Sequence, residues 1–114
     1  MSVEEAADGV AVVQASGEVD QLTAPGLAEA IGRVLDAPGS AVLVDLTAVG
    51  FLGSAGLAVL VEAATRAEKD ARQLRVVADA PPVLRPLALT GLETVLSIHP
   101  TRQAAMQSLA VGTE

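Results

Sequence analysis

Ser54 stands among three glycines, Gly50, Gly53 and Gly56, in the stretch DLTAVGFLGSAGLAVLV at residues 45–61. The stretch begins as an apolar strand and continues with small and aliphatic residues typical of a helix. A hydroxyl among glycines between a strand and a helix is typical of loops that cradle phosphate or expose a nucleophile. Three glycine motifs have this general form, and each demands its own spacing.

The spacing in this chain fits none of the three motifs completely. The dinucleotide fingerprint is G-x-G-x-x-G, whereas these glycines follow G-x-x-G-x-x-G. The phosphate-binding P-loop needs Lys and then Ser or Thr after its last glycine, but Leu57 follows Gly56. The nucleophile elbow G-x-S-x-G fits Ser54 and Gly56, yet Leu52 occupies the place of its first glycine. Binding of a small ligand or nucleotide has less support, because no basic residue lies nearby in the sequence.

Hydrolysis at Ser54 would also require a general base, and the sequence offers few candidates for that role. His99 is the single histidine and precedes Pro100, so we expect it in a solvated turn. The chain has no cysteine, no paired carboxylates placed for catalysis and no metal-ligand spacing. We therefore expect a protein that is not an enzyme, with no catalytic residues, metal or cofactor.

The composition narrows the class of partner. The chain has 114 residues, enough for one domain, and a formal net charge of −7 with seven scattered basic residues. Phe51 is the only aromatic residue, so neither a basic stripe nor a stacking platform for nucleic acid is present. No apolar run approaches the roughly 20 residues that span a bilayer, and the acidic N-terminus does not resemble a signal peptide. We expect a cytoplasmic protein that neither inserts into membranes nor binds nucleic acid.

Hydrophobic periodicity predicts strands that alternate with helices after an opening pair of strands. Such an order predicts an α/β fold, with a mixed sheet of four or five strands and about four helices packed against it. The first strand is expected to form an edge hairpin that turns at Ser16–Gly17 and continues through Val19. The predicted strands are 10–15, 41–46, 74–79 and 94–98, and the predicted helices start near Pro25, Ser54, Pro81 and Thr101, with Gly91 ending the third.

The sequence also predicts details of the helix termini and faces. Thr23 and Ser54 are expected N-cap residues, whose hydroxyls accept hydrogen bonds from the first backbone N–H groups. Pro86 should distort the third helix or cost it a hydrogen bond. Two faces are expected on the second helix. Leu57, Leu60, Val61 and Ala64 would face the sheet, while Ala55, Ala58, Val59 and Ala63, with Glu62 among them, would form an exposed apolar surface.

The stretch DLTAVGFLGSAGLAVLVEA resembles the signature of the STAS domain, in particular that of bacterial anti-sigma factor antagonists. Their pattern is roughly D-L-S/T, two or three residues, then F-hydrophobic-D-S-S/T/A-G-L. ASGEVDQLTAPGL matches the family's early G-E-[LVI]-D turn, and LTGLETVLSIHPT matches the segment before the last strand. The resemblance covers nearly the whole chain and implies a single STAS domain over residues 1–114, with helices on one side of the sheet.

The resemblance also implies a transcription regulator whose switch is Ser54. In antagonist members, an anti-sigma factor with serine kinase activity phosphorylates the serine at this position, and only the unphosphorylated protein binds that factor and frees the sigma factor. The chain departs from the pattern at Gly53, where an acid is expected, and at Ala55, where Ser or Thr is common. The implied partner-binding residues are Glu18, Asp20, Gly53, Ser54, Ala55, Ala58, Val59 and Glu62.

A second interpretation within the same family remains open. STAS domains also serve as docking subunits of other assemblies, for example lipid-transport ATPase complexes, without phosphorylation. In that case Ser54 would act only as a helix cap. The two interpretations differ in the partner and in whether Ser54 is modified.

Overall fold

The computed structural model describes residues 1–5 and 9–112. In these residues one five-stranded sheet packs against four α-helices, which confirms the α/β prediction. In chain order the elements are β1 (Ser2–Glu5), β2 (Val10–Val19), α1 (Ala24–Asp36), β3 (Ala41–Leu52), α2 (Ser54–Lys69), β4 (Gln73–Val77), α3 (Pro81–Leu89), β5 (Ile98–His99) and α4 (Arg102–Gly112).

The strands lie in the order β1-β2-β3-β4-β5, with β1 antiparallel to β2 and the other neighbours parallel. Successive residues of β3 point to opposite faces of the sheet and are apolar on both. Val42 and Val44 join the large core under α1, α2 and α3, whereas Ala41 and Leu43 join a smaller core with Ala105 of α4. The expectation that the helices lie on one side is therefore wrong, because α4 covers the other face.

The predicted hairpin turn at Ser16–Gly17 is wrong. Strand β2 runs through these residues as one strand, and β1 supplies the antiparallel partner instead. The pairing of β2 with β3 shifts between Gln14 and Ser16 and again between Gly17 and Glu18, and Gly17 has a φ of +77°. A glycine with positive φ is a signal for a β-bulge as well as for a turn. The bulge carries β2 onward to Val19, beside the Ser54 loop.

The C-terminal part contains less strand than the sequence predicts. Gly91 ends α3 with a φ of +74°, as expected, and Pro86 lies within a helix that stays continuous. Residues Leu92–Thr94 form a 3₁₀ turn, so only Ile98 of the predicted strand 94–98 pairs with β4, together with His99 beyond the predicted range. The Thr94 hydroxyl donates a hydrogen bond to the Gly91 carbonyl at 2.7 Å. This local hydrogen bond competes with strand formation at a β-branched residue.

Helix α2 presents a different face to the sheet from the predicted one. Its buried residues are Gly56, Leu60, Ala63 and Ala67. Leu57, Val61 and Ala64 are half-buried, and Ala63, which was expected on the exposed face, is 7% exposed. Hydrophobic periodicity gives most weight to large side chains, whereas this helix approaches the sheet through small ones. Of the predicted sheet-facing stripe, Leu60 is fully buried, and Leu57 and Ala64 pack against the core as half-buried residues.

Candidate functional site

Ser54 is the first residue of α2 and is exposed to solvent. The N-cap position belongs to Gly53, and no side-chain hydrogen bond caps the helix. The prediction that the Ser54 hydroxyl caps α2 is therefore wrong. The N–H groups of the first turn have no partners within a helix, so this end of α2 carries partial positive charge. An exposed hydroxyl at such a position is open to modification.

Backbone contacts hold the loop before Ser54 against the end of β2. The Gly53 N–H donates to the Val19 carbonyl at 2.9 Å, and the Leu57 N–H donates to the Gly53 carbonyl at 3.0 Å. The Phe51 ring packs over Gly53, where an added Cβ would lie 3.1 Å from Phe51 Cε2. A side chain at residue 53, such as the acid of the family pattern, would thus require the ring to shift.

Hydrogen bonds fold the segment that leads from β2 into α1 into a compact turn. Asp20 Oδ1 accepts hydrogen bonds from the backbone N–H groups of Leu22 and Thr23, both at 3.0 Å. The Thr23 hydroxyl donates to the Glu18 carbonyl at 2.7 Å and accepts from the Asp20 N–H at 2.9 Å. Thr23 occupies the predicted N-cap position of α1, but its hydroxyl secures this turn rather than the helix.

The charge of Asp20 is stabilised by the same turn. The hydrogen bond from the Thr23 backbone is the largest influence, and it holds the pKa of Asp20 below the ordinary value of 3.8. A carboxylate that accepts several backbone hydrogen bonds favours its ionised form. Asp20 is consequently negative at neutral pH.

The turn and the Ser54 loop meet in a shallow depression at the carboxyl ends of β2 and β3. Asp20, Gly53, Ser54 and Ala55, four of the predicted site residues, lie together there with Gln21 and Phe51. No lysine or arginine of the described residues lines the depression. The structure therefore presents an exposed hydroxyl beside a fixed negative charge and without a cation of its own.

Two apolar side chains beside the depression were missed from the sequence. Phe51 is 50% exposed and Leu22 is 89% exposed. Large apolar side chains exposed next to a polar site are typical of docking surfaces. Phe51 could have been found, because it is the single aromatic residue of the chain and lies three positions before Ser54. Leu22 gave no such signal, since it stands in an otherwise ordinary turn.

The remaining predicted residues extend from the depression along α2 and the end of β2. Ala58 and Glu62 are exposed on α2, and Glu18 is exposed opposite Phe51 in the β2–β3 pairing. Val59 is half-buried and lines a groove between α1 and α2 together with Glu62 and Ala63. The exposed surface of α2 is thus narrower than predicted, because Val59 packs on the core and Ala63 belongs to it.

His99 does not line the depression that holds Ser54. The prediction that His99 lies in a solvated turn is wrong. The residue lies in β5, is half-buried, and its Nε2 is 3.0 Å from the Ser97 hydroxyl. Within residues 1–5 and 9–112, no group of three or more His, Cys, Asp or Glu side chains is placed to hold a metal ion. Among the described helices, none combines the length and apolar character needed to cross a bilayer.

Comparison with known proteins finds relatives that cover most of the chain. Residues 3–105 match the family model of the STAS domain. The anti-sigma-F factor antagonist RsfB of Mycobacterium tuberculosis is 38% identical over 107 residues, which are 92% of this chain and 85% of RsfB. An anti-sigma factor antagonist from Mycobacterium paratuberculosis, known from a crystal structure, is 43% identical with a TM-score of 0.83 over 94% of this chain and 90% of that chain.

The same fold recurs at lower identity in SpoIIAA, an anti-sigma factor antagonist. Its unphosphorylated form is 15% identical with a TM-score of 0.79, over 96% of this chain and 95% of that chain. Its structure as a Bacillus cell fate determinant in the phosphorylated form gives a TM-score of 0.72. At this identity the likeness shows the fold alone.

Proposed function

Since the chain belongs to the STAS domain family, we propose that it is an anti-sigma factor antagonist that phosphorylation of Ser54 switches off. The partner is an anti-sigma factor, the class that the name of RsfB indicates, and the proposal adds that this factor has serine kinase activity. The protein binds this factor through the Ser54 loop and the exposed surface of α2, and thereby frees a sigma factor. Because sigma factors act in transcription, this function belongs in the cytoplasm.

The observation that carries the proposal is the exposed Ser54 hydroxyl in one depression with an exposed aromatic ring and a fixed carboxylate. Phe51 offers apolar area that a partner would bury, and aromatic side chains dominate the affinity of many interfaces. Asp20 and Glu18 offer negative charge to arginines of a kinase-type partner. Ser54 lines the same depression as Phe51 and Asp20, so a modification there alters the proposed contact surface directly.

Phosphorylation of Ser54 would leave the fold intact and would weaken binding to the partner. A phosphate carries about −1.5 to −2 charges, which the positive end of α2 accommodates. Asp20 is ionised in the same depression, and no described lysine or arginine lines it to neutralise the added charge. The phosphate adds bulk and charge to the contact surface, and its desolvation costs free energy unless the partner offers a further cation beyond those that pair with Asp20 and Glu18. Binding therefore weakens although the structure of the antagonist stays the same.

The test uses purified anti-sigma factors with kinase-type ATP-binding domains from the organism of this chain, each mixed with the protein and ATP. We expect the cognate factor to add one phosphate, detected by intact mass, and Ser54→Ala to prevent it. Ser54→Ala should bind the factor like wild type. Ser54→Asp should bind about tenfold more weakly, a partial effect because a carboxylate carries about half the charge of a phosphate. Ser16→Ala, at another exposed serine, is the matched control and should be phosphorylated normally.

The opposite result would support the docking-subunit interpretation. In that case no kinase modifies Ser54, and both Ser54→Ala and Ser54→Asp bind the native partner with wild-type affinity. We also expect no catalytic turnover from the protein itself. Hydrolysis of an ester or nucleotide that disappears in Ser54→Ala would contradict that expectation.

A further inference from the structure

Leu22 is the most exposed large apolar residue in the part of the chain that the structure describes, at 89% exposure. Exposure alone does not indicate a function, since single apolar residues are common on protein surfaces. Leu89, the last residue of α3, is also 80% exposed. The two leucines differ in their surroundings, because Leu22 directly follows Gln21, which lines the depression around Ser54.

Hydrogen bonds fix the backbone that carries Leu22. The Leu22 N–H itself donates to Asp20 Oδ1, and the Ala24 N–H donates to the Asp20 carbonyl at 2.8 Å. The Thr23 hydroxyl accepts from the Asp20 N–H and donates to the Glu18 carbonyl, so it ties the two ends of the turn together. The backbone of Leu22 is therefore held while its side chain extends into solvent.

A turn that is already ordered is well suited to present an apolar side chain to a partner. Ordering a loop during association costs free energy, and a preorganised loop avoids most of that cost. The polar side chains of Asp20 and Thr23 are engaged in holding the turn. Leu22 makes no comparable contribution to the fold, and its apolar surface becomes favourable only when a partner removes it from water.

We propose that the anti-sigma factor buries Leu22 in an apolar pocket, and that Thr23 positions Leu22 for this contact. The inference rests on the proposed function and adds an anchor to the same site. The charges beside Leu22 define the rim of the pocket. Asp20 and Glu18 are acidic, and no described lysine or arginine lines the depression, so a basic rim on the partner complements this surface.

Leu22→Ala tests the anchor by its affinity for the cognate anti-sigma factor, measured by isothermal titration calorimetry. We expect binding to weaken by about ten- to hundredfold, the range that corresponds to burial of one leucine side chain. The urea unfolding midpoint should not change, because the side chain lies in solvent. Leu89→Ala is the matched control, with the same substitution at a similarly exposed leucine, and it should bind like wild type.

A double-mutant cycle tests the positioning role of Thr23. Thr23→Val keeps the shape of the side chain but removes the hydroxyl that bonds to Asp20 and Glu18. We expect this change to weaken binding about threefold when Leu22 is present, because the loosened turn must then be ordered on association. In the Leu22→Ala background the same change should have no further effect, since there is no anchor left to position. Additive losses would contradict the positioning role.

The outcomes separate this inference from the proposed function. Wild-type affinity of Leu22→Ala, together with weakened binding of Ser54→Asp, would overturn the anchor and leave the proposed function in place. Equal losses in Leu22→Ala and Leu89→Ala would also overturn the anchor, because the effect would then not depend on the turn. If no anti-sigma factor binds the wild-type chain, the proposed function fails and the anchor fails with it.

Discussion

At the scale of single residues, Gly56 sets how closely α2 approaches the sheet. A Cβ at this position would lie 2.6 Å from Leu52 Cδ1 and 2.7 Å from Val19 Cγ1. Both neighbours are buried, Leu52 to 3% and Val19 to 1% exposure, so neither has room to move. We expect Gly56→Ala to lower the free energy of unfolding by about 1–3 kcal/mol, the usual cost of overpacking, despite the better helix propensity of alanine. Urea unfolding followed by circular dichroism measures this, since the chain has no Trp or Tyr.

Gly50 is the matched control from the same glycine series. No atom lies within 4 Å of a Cβ added there, and its φ lies outside the left-handed region. We expect Gly50→Ala to leave the unfolding midpoint within experimental error. Equal stability of the two variants would show that α2 can move away from the sheet at no cost.

At the scale of elements, substitutions at exposed residues of α2 test partner binding separately from folding. Ala58 is exposed one turn after Ser54, so Ala58→Glu adds charge and bulk to the proposed interface without disturbing the core. We expect this variant to weaken binding of the anti-sigma factor at least tenfold while the unfolding midpoint stays unchanged. Isothermal titration calorimetry with the cognate factor measures the affinity.

Thr65→Glu tests the same helix beyond the proposed interface. Thr65 is exposed two turns further along α2, and its hydroxyl bonds only to the Val61 carbonyl. The affinity of this variant should equal that of wild type, and a loss equal to that of Ala58→Glu would move the interface along the helix. Val59→Glu is a poorer test, because Val59 packs between α1 and α2 and a charge there would destabilise the fold.

At the scale of the whole molecule, one buried carboxylate joins distant parts of the chain. Asp45 of β3 is 3% exposed and accepts hydrogen bonds from the Thr47 N–H and hydroxyl, at 2.9 and 2.7 Å. Arg102 Nε of α4 donates to Asp45 at 2.6 Å, and Arg102 Nη1 pairs with Glu4 of β1 at 2.9 Å. The network connects β1, β3 and α4.

This network predicts a specific loss of stability in acid. Desolvation acts to raise the pKa of Asp45, but the Thr47 hydrogen bonds and Arg102 outweigh it and hold the pKa below 3.8. The stabilisation is therefore complete above the unfolded pKa and is lost as the pH falls through the lower folded value. We expect Asp45→Asn to cost about 1–3 kcal/mol at pH 7. Between about pH 5 and 2, the unfolding free energy of Asp45→Asn should decline less than that of wild type. Parallel slopes in that range would contradict the role given to Asp45.

The structural features that depend on large apolar residues could be predicted well from the sequence. The features that depend on small or polar residues could not. The α/β order follows from runs such as 41–46, and the family signature located Ser54. The expectation that all helices lie on one side came from the family resemblance, and no local pattern shows which face of the sheet α4 covers. The face that α2 presents to the sheet depends on Gly56 and Ala63. The Asp45–Arg102 pair joins residues far apart in sequence, so no local pattern could indicate it.

The Glu4–Arg102 ion pair also brings the first strand and the last helix side by side, although 98 positions separate the two residues. Unfolding would part them by tens of ångströms on average. The chain contains no cysteine, so a cysteine introduced at Ser2 and another at Gln103 would each take one dye without competing sites. Energy transfer between a donor and an acceptor there would be high in the folded chain and low in the unfolded one. The proximity of the two segments thus supplies a distance-based probe of folding for a protein that lacks the usual intrinsic fluorophores.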